Sequence, residues 1–92
     1  MDPSEKTNPP DDQKILSFQS DYEGEFKVID SNGNKLAEGF ERPMTTCYVN
    51  AHIPGPEKGQ IIDGFGAETE NLEMARSRVK DFFEKHGFSF HE

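Results

Sequence analysis

"TTCYVNAHIP", residues 45–54, decides how this chain is built. It holds the only cysteine and one of the three histidines, five positions apart. A thiol and an imidazole that close are candidates for a nucleophile with its base, or for part of a metal site. The run is β-branched and aromatic, with apolar residues at every second position. That is the pattern of a strand with one buried face. Cys47, Val49, Ala51 and Ile53 then share one side, and Tyr48, Asn50 and His52 share the other. On this reading Cys47 is a small core hydrophobe, and burial in apolar surroundings raises its thiol pKa and slows its chemistry. His52 points the opposite way and does not reach it. A bulge at 49–51 would undo the alternation.

Strand signals continue on both sides. "KILSFQS" (14–20) places Leu16 and Phe18 on one face. "EFKVI" (25–29) and "KLAEGF" (35–40) flank "DSNGN" (30–34), whose Asn-Gly pair tolerates positive φ. Residues 25–40 are therefore expected to form a hairpin, ended by "ERP" (41–43). "PGPEKG" (54–59) is a loop, with Pro54-Gly55 suited to a type II turn. "QIIDGF" (60–65) is the next strand, after which Gly64 and Gly66 are expected to release the chain from the sheet.

A helix is expected from about Glu70 to His86, with Thr69 as N-cap. Glu68, Glu70 and Glu73 lie where the helix dipole favours negative charge. Leu72, Ala75, Val79, Phe82 and Phe83 recur at helical spacing, with Phe82 expected in the core. Lys85 and His86 suit the negative end. Gly87 belongs at a left-handed C′ position, with Phe88 folded back on Phe83. The order β-β-β-β-β-α specifies an α+β fold: a small antiparallel sheet of about four or five strands, with one C-terminal helix on one face.

The chain has 92 residues and a net charge of −8, and only 32% of it is hydrophobic. That length makes one small domain with little room for a deep cleft. "MDPSEKTNPPDDQ" (1–13) has no large apolar residue after Met1 and is read as a disordered tail, leaving a single domain at 14–92. The charge divides into −3 for 1–13, −3 for 14–41 and −2 for 42–92, so no segment is basic. Direct nucleic-acid binding is disfavoured, because it needs clustered Lys and Arg. An anionic membrane surface would repel the chain as well. No apolar run approaches a membrane span, and the N-terminus lacks a signal-peptide core. With a single cysteine, these features point to a cytoplasmic protein.

Other candidate chemistry is weak. Cys47, His52, His86 and His91 show no metal-ligand spacing. "GFGA" (64–67) precedes a helix, but its glycines are too few for a phosphate loop and the neighbouring glutamates would repel an anion. Arg76, Arg78 and Lys80 read as solvated helix surface balanced by Glu73 and Glu84. No catalytic residue, cofactor or metal is assigned. The expected partner-binding site is "DYEGE" (21–25), specifically Asp21, Tyr22, Glu23 and Glu25. Residues 21–41 carry six carboxylates against Lys27 and Lys35, the most one-sided stretch after the tail.

The segment "IIDGFGAETENLEMARSRVKDFFEKHGF" (61–88) resembles the strand–turn–helix ending of HicB-type antitoxins, where a Gly- and Thr-containing turn precedes an amphipathic helix. The Asp-x-Pro-Gly-Cys stretch expected before that turn is absent, as is an appended DNA-binding helix set, so no family is assigned. The reading is a small, acidic, non-enzymatic binding or regulatory protein acting through a protein partner with a basic surface. One form is an inhibitor of a nucleic-acid-binding surface. The alternatives are a small enzyme using exposed carboxylates or His52, and an architectural subunit of a complex.

Overall fold

The fold is built outward from the turn at Asp30. Its carboxylate accepts the N–H groups of Asn32 and Asn34, each at 2.9 Å. Gly33 takes φ +85° there, a conformation few other residues adopt cheaply. This turn joins β2 (Glu25–Ile29) to β3 (Lys35–Glu41), so the expected hairpin forms. The ladder slips between Val28 and Ile29, and in consequence Leu36 and Ala37 are both buried. The computed structural model describes residues 15–42 and 46–91. The expected tail at 1–13, and the start of the domain at Lys14, lie outside the described residues.

β4 (Cys47–Pro54) pairs antiparallel with β3 on one side and with β5 (Ile61–Thr69) on the other. Cys47, Val49, Ala51 and Ile53 are all buried, and Tyr48, Asn50 and His52 are half-buried. The alternation holds without a bulge at 49–51. β1 (Ile15–Gln19) pairs antiparallel with β2.

Several expectations need correction. The sheet has six strands in the order β5-β4-β3-β2-β1-β6, and it is mixed rather than antiparallel. β6 (Ser89–Phe90) lies parallel to β1, and the His91 N–H donates to the Leu16 carbonyl at 2.7 Å. Two residues are too few to show a strand period. β5 does not end at Phe65: Gly64 and Gly66 stay in the ladder opposite His52 and Asn50, and pairing continues to Thr69 opposite Cys47. In the β4–β5 loop, Gly59 takes the positive φ of +80°, not Gly55, so Pro54-Gly55 does not make the type II turn.

The helix, α1 (Leu72–Lys85), is shorter than expected and is capped by Asn71 rather than Thr69. Asn71 Oδ1 accepts the Met74 N–H at 2.9 Å, while the Thr69 hydroxyl donates to the Asn71 carbonyl. At the other end Gly87 has φ +87°. Its N–H donates to the Glu84 carbonyl, and the Phe88 N–H to the Phe83 carbonyl, which is the expected Schellman arrangement. That turn reverses the chain and delivers Ser89 and Phe90 alongside β1.

α1 lies across β3, β4 and β5. Ala75, Val79 and Phe83 are fully buried against Leu16, Phe26, Val28 and Val49. Phe82 is only partly buried, so the core aromatic of the stripe is Phe83. Phe82 instead covers the rim, stacked on Phe65 at 5.4 Å. The opposite face of the sheet carries no helix among the described residues.

Candidate partner-binding surface

The β1–β2 turn gives the four expected site residues unequal roles. The Glu25 carboxylate accepts the N–H groups of Asp21 and Tyr22, at 3.0 and 3.3 Å. Asp21 pairs with Lys27 at 3.0 Å. These two carboxylates therefore hold the turn together. Tyr22 and Glu23 are exposed, Tyr22 at 76%. Gly24 takes φ +83° and its carbonyl accepts the Glu41 N–H at 2.8 Å, which brings the end of β3 against this turn.

Topology then adds residues that the linear stretch does not contain. The β1–β2 turn, the β3–β4 connection and the β5–α1 connection all lie at one end of the sheet. Seven carboxylates gather there: Asp21, Glu23, Glu25, Glu41, Glu68, Glu70 and Glu73. Lys27, Arg42 and Arg76 stand against them, leaving a net −4 of the −5 that the described residues carry. Arg42 pairs with Glu68 at 3.4 Å and lies over the Tyr48 ring at 4.7 Å. Arg76 lies over the rings of Phe18 and Phe26. The positive end of the α1 dipole points to this end and eases the mutual repulsion. Glu68, Glu70 and Glu73 are visible in the sequence only as neighbours of a helix start. Their placement at the same end of the sheet as 21–25 depends on the antiparallel course of the strands, with β4 and β3 lying between β5 and β2.

The open face of the sheet is mostly polar. Phe40 and Tyr48 form a tilted pair at 5.7 Å. Further along, Glu38 accepts from Lys35 at 2.8 Å and from the Asn50 amide at 3.4 Å. The Lys35 hydrogen bond holds the Glu38 carboxyl below its ordinary value; partial burial opposes this, and Asn50 assists. A lowered carboxyl contributes stability above its unfolded pKa, which fades as pH falls through the folded one. The group is half exposed, so the contribution is small.

Burial pushes the Cys47 thiol up, and the nearby Glu41 charge adds to this. His52 lies on the other face. It is also four residues along β4 from Tyr48, about 13 Å at the usual rise, and so remote from the acidic end. His86 pairs with Asp63 at 2.9 Å, bridging α1 to β5. Among the described residues no three His, Cys, Asp or Glu side chains converge as metal ligands. Among them, too, no helix is long and apolar enough to cross a membrane.

Neither a family model, nor a curated protein, nor a solved structure matches this chain. No comparison supports the likeness to the HicB ending, and the Gly- and Thr-containing stretch that carried it is part of strand β5 rather than a turn.

Proposed function

We propose that the protein is a non-enzymatic binding module that presents its acidic end to a basic surface on a partner protein. The observation that carries this reading is the gathering of seven carboxylates from three separate connections, so that most of the net charge of the described residues sits at one end. A one-sided field of this kind steers a complementary partner and raises its association rate. Where the partner's basic surface also binds nucleic acid, the module competes for it and acts as an inhibitor. The enzymatic alternative would use the exposed carboxylates or His52. What weighs against it is that His52 lies well along β4 from the acidic end, and that Cys47, although Glu41 is its cross-strand neighbour, is buried with a raised thiol pKa.

The test begins with capture of partners from native lysate at low and high salt. Association of a captured protein is then compared between the wild type and Glu23→Gln/Glu70→Gln/Glu73→Gln. These three side chains are exposed, whereas Asp21 and Glu25 are spared because they hold the turn. The variant should associate about tenfold more slowly at low salt, with the difference closing at high salt. An unchanged rate and an unchanged salt dependence would leave the charge as a solubility feature only.

A further inference from the structure

We propose that the free edge of β5 receives an extended segment of a partner protein, basic towards its N-terminus and aliphatic towards its C-terminus. The segment adds to the sheet as an antiparallel strand. This rests on the reading that the partner is a protein with a basic surface, and it names where and in what form that partner binds.

β5 is terminal in the strand order and is the longest strand, at nine residues. An unpaired edge presents a row of backbone donors and acceptors. Proteins usually blunt such edges with Pro, Lys or very short strands. The opposite edge, β6, is blunted in this way at two residues. β5 has neither Pro nor Lys. Its ladder with β4 slips once, between Ile53–Asp63 and Pro54–Ile61, so pairing is regular from Asp63 to Thr69 and Ile61 and Ile62 lie beyond the slip. One donor is occupied: the Gly64 N–H donates to its neighbour's Asp63 carboxylate at 2.8 Å. The same carboxylate reaches His86 at 2.9 Å, which ties the edge to α1.

The edge is also graded along its length. Ile61 and Ile62 are 60% and 62% exposed at its start. Glu68, which Arg42 reaches at 3.4 Å, and the exposed Glu70 stand at its end. A strand added antiparallel runs its N-terminus past Glu68 and Glu70 and its C-terminus past the two isoleucines. For a strand added antiparallel, the slightly more stable pairing per residue, charge and apolar surface together therefore select a composition that is basic towards the N-terminus and aliphatic towards the C-terminus. Gly64 and Gly66 leave the open face bare beside this edge. A Cβ at Gly64 would meet nothing nearer than the Ala51 carbonyl at 3.9 Å, and one at Gly66 would meet the Tyr48 hydroxyl at 3.6 Å. A large side chain on the incoming strand can lie across these glycines, as aromatic residues do over strand glycines elsewhere.

A second copy fits the same edge poorly. Antiparallel self-pairing about Phe65 sets Ile62 against Glu68 and Ile61 against Thr69. Parallel self-pairing matches the isoleucines but places Asp63 beside Asp63 and Glu68 beside Glu68, which is unfavourable across a ladder.

The experiment uses the full chain and two synthetic strand-length peptides. One has Lys and Arg near its N-terminus and Ile and Val near its C-terminus; the other has the reversed order. The first should bind more tightly. At about one hundred times its Kd it should slow amide exchange in residues 61–69 by up to about a hundredfold, with little change elsewhere. Ile62→Lys, or Ile61→Lys as a second exposed site, should weaken it about tenfold, roughly the loss of one aliphatic contact. Equal or tighter binding of the reversed peptide would overturn the proposal, as would binding without protection of β5. So would a concentration-dependent dimer that Ile62→Lys abolishes, since the occupant would then be a second copy. If β5 is protected but Glu23→Gln/Glu70→Gln/Glu73→Gln associates at the wild-type rate, the strand site stands and the acidic-end reading fails.

Discussion

Gly39 sits directly beneath the ring of Phe26, its cross-strand neighbour. A Cβ there would lie 2.5 Å from two ring carbons of a fully buried phenylalanine. The ring cannot yield easily, because Phe18 packs against it at 5.6 Å. Gly39→Ala is therefore expected to cost about 1–3 kcal/mol in urea melts, although alanine normally loses less entropy than glycine in a strand. A neutral effect would mean that Phe26 has another rotamer available. The sequence shows a glycine in a strand but not what covers it. Cys47 is the opposite case, because the alternation around it is legible directly. It is 2% exposed, and its thiol is expected to react slowly in the native protein and fast in urea. Equal rates in the two conditions would place the thiol at the surface.

At the level of elements, the C-terminal end of α1 was legible and the N-terminal end was not. Gly87 and Phe88 carry a Schellman signature that needs only local geometry. At the start of the helix, Thr69 and Asn71 are both good caps, and the choice depends on how far β5 pairs with β4. Pairing runs to Cys47–Thr69, so Asn71 is the first good capping residue beyond the ladder. Asn71→Ala should cost about 1 kcal/mol through the lost bond to Met74. A negligible change in thermal stability would show that water replaces the cap. Helical spacing likewise places both Phe82 and Phe83 on the apolar stripe without saying which is central. Phe83 is fully buried and Phe82 is not, so Phe83→Ala should cost about 3–5 kcal/mol and Phe82→Ala clearly less. The reverse order in chemical denaturation would contradict the packing described.

Across the whole molecule, charge is separated along the strand direction. Like charges at the acidic end repel, and only two ion pairs, Asp21–Lys27 and Arg42–Glu68, relieve them among the described residues. Salt should screen this repulsion. Raising ionic strength from about 0.01 M to about 0.15 M shortens the screening length from about 30 Å to about 8 Å. The melting temperature should rise by about 2–4 °C, equivalent to roughly half a kcal/mol for a domain this small. Glu23→Gln/Glu70→Gln/Glu73→Gln should show a smaller rise. A fall in stability with salt would mean that the ion pairs outweigh the repulsion.

By itself, the sequence determined the hairpin around Asn32-Gly33, the buried side of β4 and the C-terminal cap of α1. Each depends on interactions within a few residues: positive φ at a glycine, alternation with period two, a carbonyl left free at a helix end. Only the tertiary structure decided the length of β5, the parallel pairing of β6 with β1, the cover over Gly39, the contact of Glu41 with the 21–25 turn and the placement of Glu68, Glu70 and Glu73 at the same end of the sheet. These depend on which strand lies beside which. Backbone pairing with β4 kept Gly64 and Gly66 in the sheet against their local preference for a turn. Strand order, which no local period encodes, brought distant carboxylates to one end.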